Sequence, residues 1–329
     1  MKTRRLLLST IVLVGLAGLS IAWILNHPAK EGSAGVSPAG SQSVPLGDRA
    51  AVTPATGLAP GNGRSASPTE AGRATPQLID EICGPNAAVR LREVAEGGPL
   101  SRADCETLYA FLRQKTTDEK LARMASIKNS VMNLLARQPL PPQPWDSVLQ
   151  AIVEDEDQHA VIRDYALQHL FEYYEAAVHN NRAAKLGATR RAELQELFWS
   201  ALERKSESLA GTALLALFHL SAIEPAVDRQ RVLGKSLELL EAADAGDLAR
   251  ITAFQVCARA GESRALAQAV SAAETAQTIP LRVAAIAAVG AVGTAHELPL
   301  LKRLQDEPNP SVRVAVAAAI RNIQSRNNG

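Results

Sequence analysis

Apolar residues recur at three- and four-residue spacing over most of the chain, and alternating polar and apolar runs are nearly absent, so the pattern predicts helices rather than strands. Breaks marked by proline or glycine cut it into helix-length pieces, among them Pro139-Leu140-Pro141-Pro142, Gly187, Glu224-Pro225, Gly246, Gly261, Gly293 and Pro308-Asn309-Pro310. Two stretches near the N-terminus depart from this rhythm and set the organisation of the rest.

The first is Leu6 to Leu25, an uncharged run of twenty residues. At about 1.5 Å rise per residue a helix of that length matches a hydrocarbon core of about 30 Å. Lys2, Arg4 and Arg5 precede it, while Lys30 and Glu31 offset each other after it, so residues 1–5 are expected to stay cytoplasmic and the rest to be exported. The expected location is a single-pass cytoplasmic membrane anchor with a periplasmic or other extracytoplasmic domain. A cleaved export signal is the rival reading. Its apolar core is usually about 7–15 residues and ends in a small-x-small site, whereas here Trp23-Ile24-Leu25-Asn26 follows and only Gly32-Ser33-Ala34 offers a late cut. No cysteine lies near the end of the run, which excludes a lipoprotein cut.

The second stretch, residues 26–77, carries seven prolines among many Gly, Ser, Ala and Thr and no Phe, Trp or Tyr. Such a segment cannot bury enough surface to fold. It is expected to act as a disordered linker with a reach of roughly 35–45 Å. Gly61-Asn62-Gly63 lies inside it with no strand before or helix after, and reads as linker rather than a phosphate loop.

Composition narrows the remainder. Residues are 47% hydrophobic but only 4% aromatic, an Ala- and Leu-rich mixture that suits packed helices. The whole chain has 35 basic and 34 acidic side chains; removing residues 1–76 takes away seven basic and three acidic ones, leaving 28 against 31, a charge of −3. That balance supplies no basic field for nucleic acid.

The C-terminal helices repeat. Leu281-Arg282-Val283-Ala284-Ala285-Ile286 superposes on Val312-Arg313-Val314-Ala315-Val316-Ala317 at an offset of 31, and Ala249-Arg250-Ile251-Thr252-Ala253-Phe254 lies 32 residues before the first. Second helices are expected between the copies, over residues 262–274 and 296–304. A hairpin of this size cannot cover its own apolar face, so hairpins must stack into an α-solenoid.

These residues resemble the HEAT repeats, in the short bacterial type first described in phycobilisome lyases. The segment IPLRVAAIAAVGAVGTAHELPLLKRLQDEPNPSVRVAVAAAIRNI, residues 279–323, follows that family's order of Val-Arg, Ala-rich helix, Gly, Leu-rich helix and Asp/Glu-Pro. Val161-Ile162-Arg163-Asp164-Tyr165 matches the same first helix after the acidic loop Glu154-Asp155-Glu156-Asp157, whereas Leu209–Leu220 has no Arg in register. The resemblance implies an all-α solenoid over 126–325, preceded by a helical cap over 78–125 and followed by a disordered tail, 326–329.

Candidate chemistry is sparse. Cys83 and Cys105 could pair in an exported domain and would then contribute about 3 kcal/mol in the chain-entropy model; two unrelated buried thiols are the alternative. Cys257 falls on a packed face. The six histidines, His27, His159, His169, His179, His219 and His296, form no ligand cluster, and Glu154–Asp157 lacks the order of a calcium loop, so neither a metal nor a cofactor is expected. No G-x-S-x-G, Walker or H-E-x-x-H motif is present and no catalytic residue is assigned. Tyr173 and Tyr174 cannot both face inward from one helix. Solenoids bind through faces made by successive second helices, which here include His296, Lys302 and Arg303. The expectation is a membrane-anchored scaffold for an envelope protein that does not bind nucleic acid. The alternative is a lyase-like or small-ligand-binding factor, which rests on the family resemblance alone.

Overall fold

The computed structural model describes residues 75–138, 145–179 and 186–327. The apolar run 6–25, nearly all of the expected linker and the Pro139–Pro142 break lie outside the described residues. Among the described residues no helix is long and apolar enough to cross a membrane.

The described chain is helical throughout: α1 Thr75–Ile82, α2 Ala87–Glu96, α3 Arg102–Arg113, α4 Leu121–Ala136, α5 Trp145–Glu154, α6 Ala160–His179, α7 Ala188–Leu202, α8 Ser208–Ile223, α9 Arg229–Glu241, α10 Asp247–Ala260, α11 Leu266–Thr275, α12 Ile279–Val292, α13 Leu298–Arg303 and α14 Pro310–Asn327. Helices α4, α6, α8, α10, α12 and α14 form a row in which each packs on the next, and α5, α7, α9, α11 and α13 lie along its flank. The stack is one-dimensional, because a hairpin in it is covered only by its neighbours. At the N-terminal end α1, α2 and α3 close the row, burying Leu78, Ile82, Val94, Leu108, Phe111 and Leu112. Tyr109 of α3 stacks on Trp145 of α5 at 5.8 Å between ring centroids.

The row is tight where the sequence is Ala- and Gly-rich. A Cβ on Gly290 of α12 would lie 2.7 Å from both Cα and Cβ of Ala319 in α14. Likewise a Cβ on Gly211 of α8 would lie 3.1 Å from the Leu248 carbonyl oxygen in α10. Only the absence of side chains lets these axes approach so closely, which explains why Ala253, Ala285, Ala288 and Ala319 are almost wholly buried.

Several boundaries differ from those expected. Helix α1 begins at Thr75, within the stretch assigned to the linker, and α4 runs across the expected limit between cap and repeats at 125 and 126. The C-terminal tail is shorter than expected. Helix α14 continues to Asn327 because Arg326 is anchored, donating to the Gly290 and Gly293 carbonyls at 2.8 and 2.7 Å. The hairpins also have a different phase: α11 packs chiefly on α12 and α13 on α14, so each flank helix belongs with the row helix that follows it.

Candidate functional site

The recurrent arginines share one task. Arg163 Nε donates to the Val153 carbonyl at 2.9 Å, Arg250 Nη2 to Ala242 at 2.8 Å, Arg282 Nε to Ala273 at 3.2 Å, and Arg313 Nη1 to Glu307 and Pro308 at 2.8 and 2.7 Å. In each case the acceptor lies at the C-terminal end of the preceding flank helix or turn. Helix ends leave carbonyls without intrahelical donors, and a guanidinium satisfies them while matching the negative end of the dipole. Lys128, wholly buried in α4, does the same for α3, donating to Leu112 at 3.1 Å and to Gln114. Burial pushes its ammonium down to about 8.

The turns that precede the row helices join into a polar ladder. Gln158 donates to the Gln114 carbonyl at 3.0 Å, beside the Lys115–Asp155 ion pair. Arg204 reaches Glu156 at 2.8 Å and Arg163 reaches Glu207 at 3.1 Å. The Gly246 N–H donates to Lys205 at 2.9 Å, Thr278 donates to Asp247 at 2.6 Å, and Arg282 grips Glu307 at 2.9 Å. Six successive turns are thereby linked along one edge. The acidic loop Glu154–Asp157 is one rung of it, with Asp155 held below the usual carboxylate range by Lys115. Helix α8 has no Arg in register; at its N-terminal side Glu207 is met instead by Arg163 and Arg204 at 3.1 and 3.6 Å.

Two buried groups stand apart from the ladder. Asp164 of α6 is 3% exposed; burial raises its carboxyl to about 6 despite hydrogen bonds with Thr212 and Ser208, and Oδ1 has no partner. Tyr174 is fully buried, donating to Glu224 at 3.0 Å and accepting from Gln195 at 2.8 Å, while Arg191 meets Glu224 at 3.1 Å. Its neighbour Tyr173 is half-buried against the core, so core packing takes most of both rings.

Cys83, Cys105 and Cys257 are free thiols, so the pairing considered for Cys83 with Cys105 is not made. Cys105 is 1% exposed in the core of the cap, whereas Cys83 sits at the half-buried end of α1. Burial raises all three, Cys105 to about 11 and Cys257 to about 12, which keeps them protonated and poorly nucleophilic.

His296, Lys302 and Arg303 are all exposed at the α13 end of the flank. They are not equivalent: Arg303 pairs with Glu274 of α11 at 2.8 Å, and the backbone N–H of His296 helps close a capping box with Thr294 at 3.2 Å. A cleft of about 590 Å³ opens further along the same flank, between α10, α11 and the start of α12. Arg250, Asp247 and Gln268 line it above Phe254 and Leu281. Asp247 is taken by Thr278, and Gln268 donates to Glu241 at 3.1 Å. Among the described residues no three His, Cys, Asp or Glu converge as a metal site.

No protein-family model matches the chain, and no curated protein matches it. Among solved structures, human deoxyhypusine hydroxylase, determined in complex with glycerol, is similar to this chain at 14% identity and a TM-score of 0.29, over 76% of this chain and 96% of that one.

Proposed function

We propose that the chain is a membrane-anchored, exported scaffold built on HEAT-like repeats, which holds a protein partner of the envelope on its helical stack. The ladder carries this reading. It commits the polar groups of one edge, from Gln114 to Glu307, to internal bonds and so stiffens the stack into a platform. The flank stays exposed, with Lys302 and His296 directed to solvent. The uncharged run 6–25 with its basic flank supports anchoring, and residues 26–74 supply a tether that would carry the stack away from the bilayer.

A second reading, a small-ligand factor, draws on the cleft lined by Arg250 and Gln268, in which Arg250 Nε and Gln268 Oε1 have no partner. Cross-linking of the full chain in intact cells, followed by affinity purification and mass spectrometry, separates the two. The scaffold reading expects one recurrent envelope protein. Recovery of no protein above an untagged control contradicts it and favours the small ligand.

A further inference from the structure

Most arginines of the stack are committed to carbonyls or carboxylates, and Arg229 and Arg231 lie over the rings of Phe218 and Trp199 at 4.6 and 3.9 Å. Arg92 of α2 and Arg137, the C-cap of α4, are different: among the described residues neither guanidinium makes a hydrogen bond, ion pair or ring contact, and both residues are exposed. They line one cleft of about 670 Å³ between α2 and α4, in which no carboxylate takes part. Its floor is Leu91 and Leu134, and the Ser130 hydroxyl lies along the same wall.

The surroundings prepare this cleft for negative charge. The end of α4 would ordinarily present bare carbonyls, which repel an anion. Here three of the last four are occupied: the Arg137 N–H donates to Asn133 at 3.3 Å, the Gln138 N–H to Leu135 at 3.2 Å, and Gln138 Nε2 to Leu134 at 3.1 Å. Gln138 Oε1 in turn accepts the Leu100 N–H at 2.9 Å, strapping the 97–100 turn across the mouth, and Gly98 at φ +95° gives the backbone the bend this requires. The two carboxylates of α2 are spent or displaced. Glu93 is held by Arg90 at 2.9 Å, and Glu96, one helical turn beyond Arg92, does not line the cleft.

We infer that the α2–α4 cleft is a docking site for an acidic peptide segment of the partner, with carboxylates meeting Arg92 and Arg137 and an apolar side chain between them on Leu91 and Leu134. Charge complementarity selects the occupant: two uncommitted guanidinium forks match carboxylates, and the leucine floor matches the apolar residues of a peptide rather than a bare inorganic anion. The inference rests on the scaffold reading and names the chemistry of its partner.

The test is fluorescence anisotropy with the full chain in detergent micelles and three labelled octapeptides, alternating aspartate with leucine, asparagine with leucine, and aspartate with glycine. The aspartate–leucine peptide should bind about tenfold or more tightly than the asparagine–leucine one. Arg92→Gln with Arg137→Gln should abolish that preference, while Arg321→Gln, at an exposed position on α14, should keep it. Equal binding of those two peptides by the natural chain overturns the inference. So does a preference that survives the double substitution, or one that an aspartate–glycine peptide reproduces in full. Each of these leaves the scaffold reading to its own cross-linking test.

Discussion

Arg282 clasps Glu307 across the junction between α12 and α14, its Nη1 and Nη2 forking around the carboxylate at 3.3 and 2.9 Å while Nε holds the end of α11 through Ala273. One side chain thus ties together a flank helix, its row helix and the next turn. Both partners are largely shielded, and the pair holds the Glu307 carboxyl below the usual range.

Replacing Arg282 by Ala should therefore cost about 2 kcal/mol, since it frees a helix-end carbonyl and a carboxylate together. The melting temperature should fall by roughly 4–8 °C. Arg282→Lys should recover only part of this, because an ammonium cannot fork around the carboxylate and reach Ala273 at once. Thermal unfolding followed by circular dichroism measures both; equal stability of all three proteins would remove the ladder's energetic role.

The same substitution should have opposite signs at two glycines. Gly290→Ala places a methyl 2.7 Å from Ala319, against backbone that cannot move without shifting α14, and should destabilise by about 1–3 kcal/mol. Gly234→Ala in α9 meets nothing within 4 Å and should stabilise by about 0.5–1 kcal/mol through helix propensity. Urea denaturation of the two variants decides the matter.

Much of this stack was legible in the sequence. The recurring Arg with its apolar helical period marks α6, α10, α12 and α14, since burial imposes that period on apolar residues whatever the neighbour. The partner of each helix was less legible: α11 and α13 have apolar stripes that suit the helix on either side, and only the three-dimensional packing selects α12 and α14. The role of Arg282 toward Ala273 is local, nine residues apart, and repeats with the period, so it could have been inferred from the recurrence. The cleft of Arg92 and Arg137 could not. Those residues are 45 apart in sequence, and nothing in either helix signals that α2 packs on α4. His296, Lys302 and Arg303, expected on a binding face, are all exposed, but the Arg303–Glu274 pair depends on how α13 lies beside α11.

Asp164 gives the stack a pH dependence with a defined sign. Its carboxyl titrates near 6 when folded against an ordinary 3.8, so between those values the unfolded chain binds fewer protons than the folded one. Stability from this residue is complete below about pH 4 and is lost as pH rises through 6, a difference of about 3 kcal/mol. Asp164→Asn should thus be the more stable protein at pH 7 to 8, with the gap closing below pH 4. Denaturation curves of the two proteins across this range test it, and a gap that widens toward acid would contradict the assignment.

The thiols should react in order of burial. Cys83 is half-buried, whereas Cys105 and Cys257 are 1% and 0% exposed, with the thiol held protonated up to about 11 and about 12. Maleimide labelling of the native protein, mapped by mass spectrometry, should reach Cys83 first and the other two only on unfolding. Early modification of Cys257 would show that the row opens between α10 and its neighbours.

A stiff stack that presents its flank to a protein partner should be caught holding it by site-specific photo-cross-linking in intact cells. A photoreactive side chain would replace Lys302 on the exposed flank in one protein and Val316, wholly buried in the row, in another. One recurrent envelope protein should be joined through position 302, and only internal products should form through position 316. The absence of any intermolecular product at position 302 and across neighbouring exposed positions of α11 and α13 would contradict the scaffold reading.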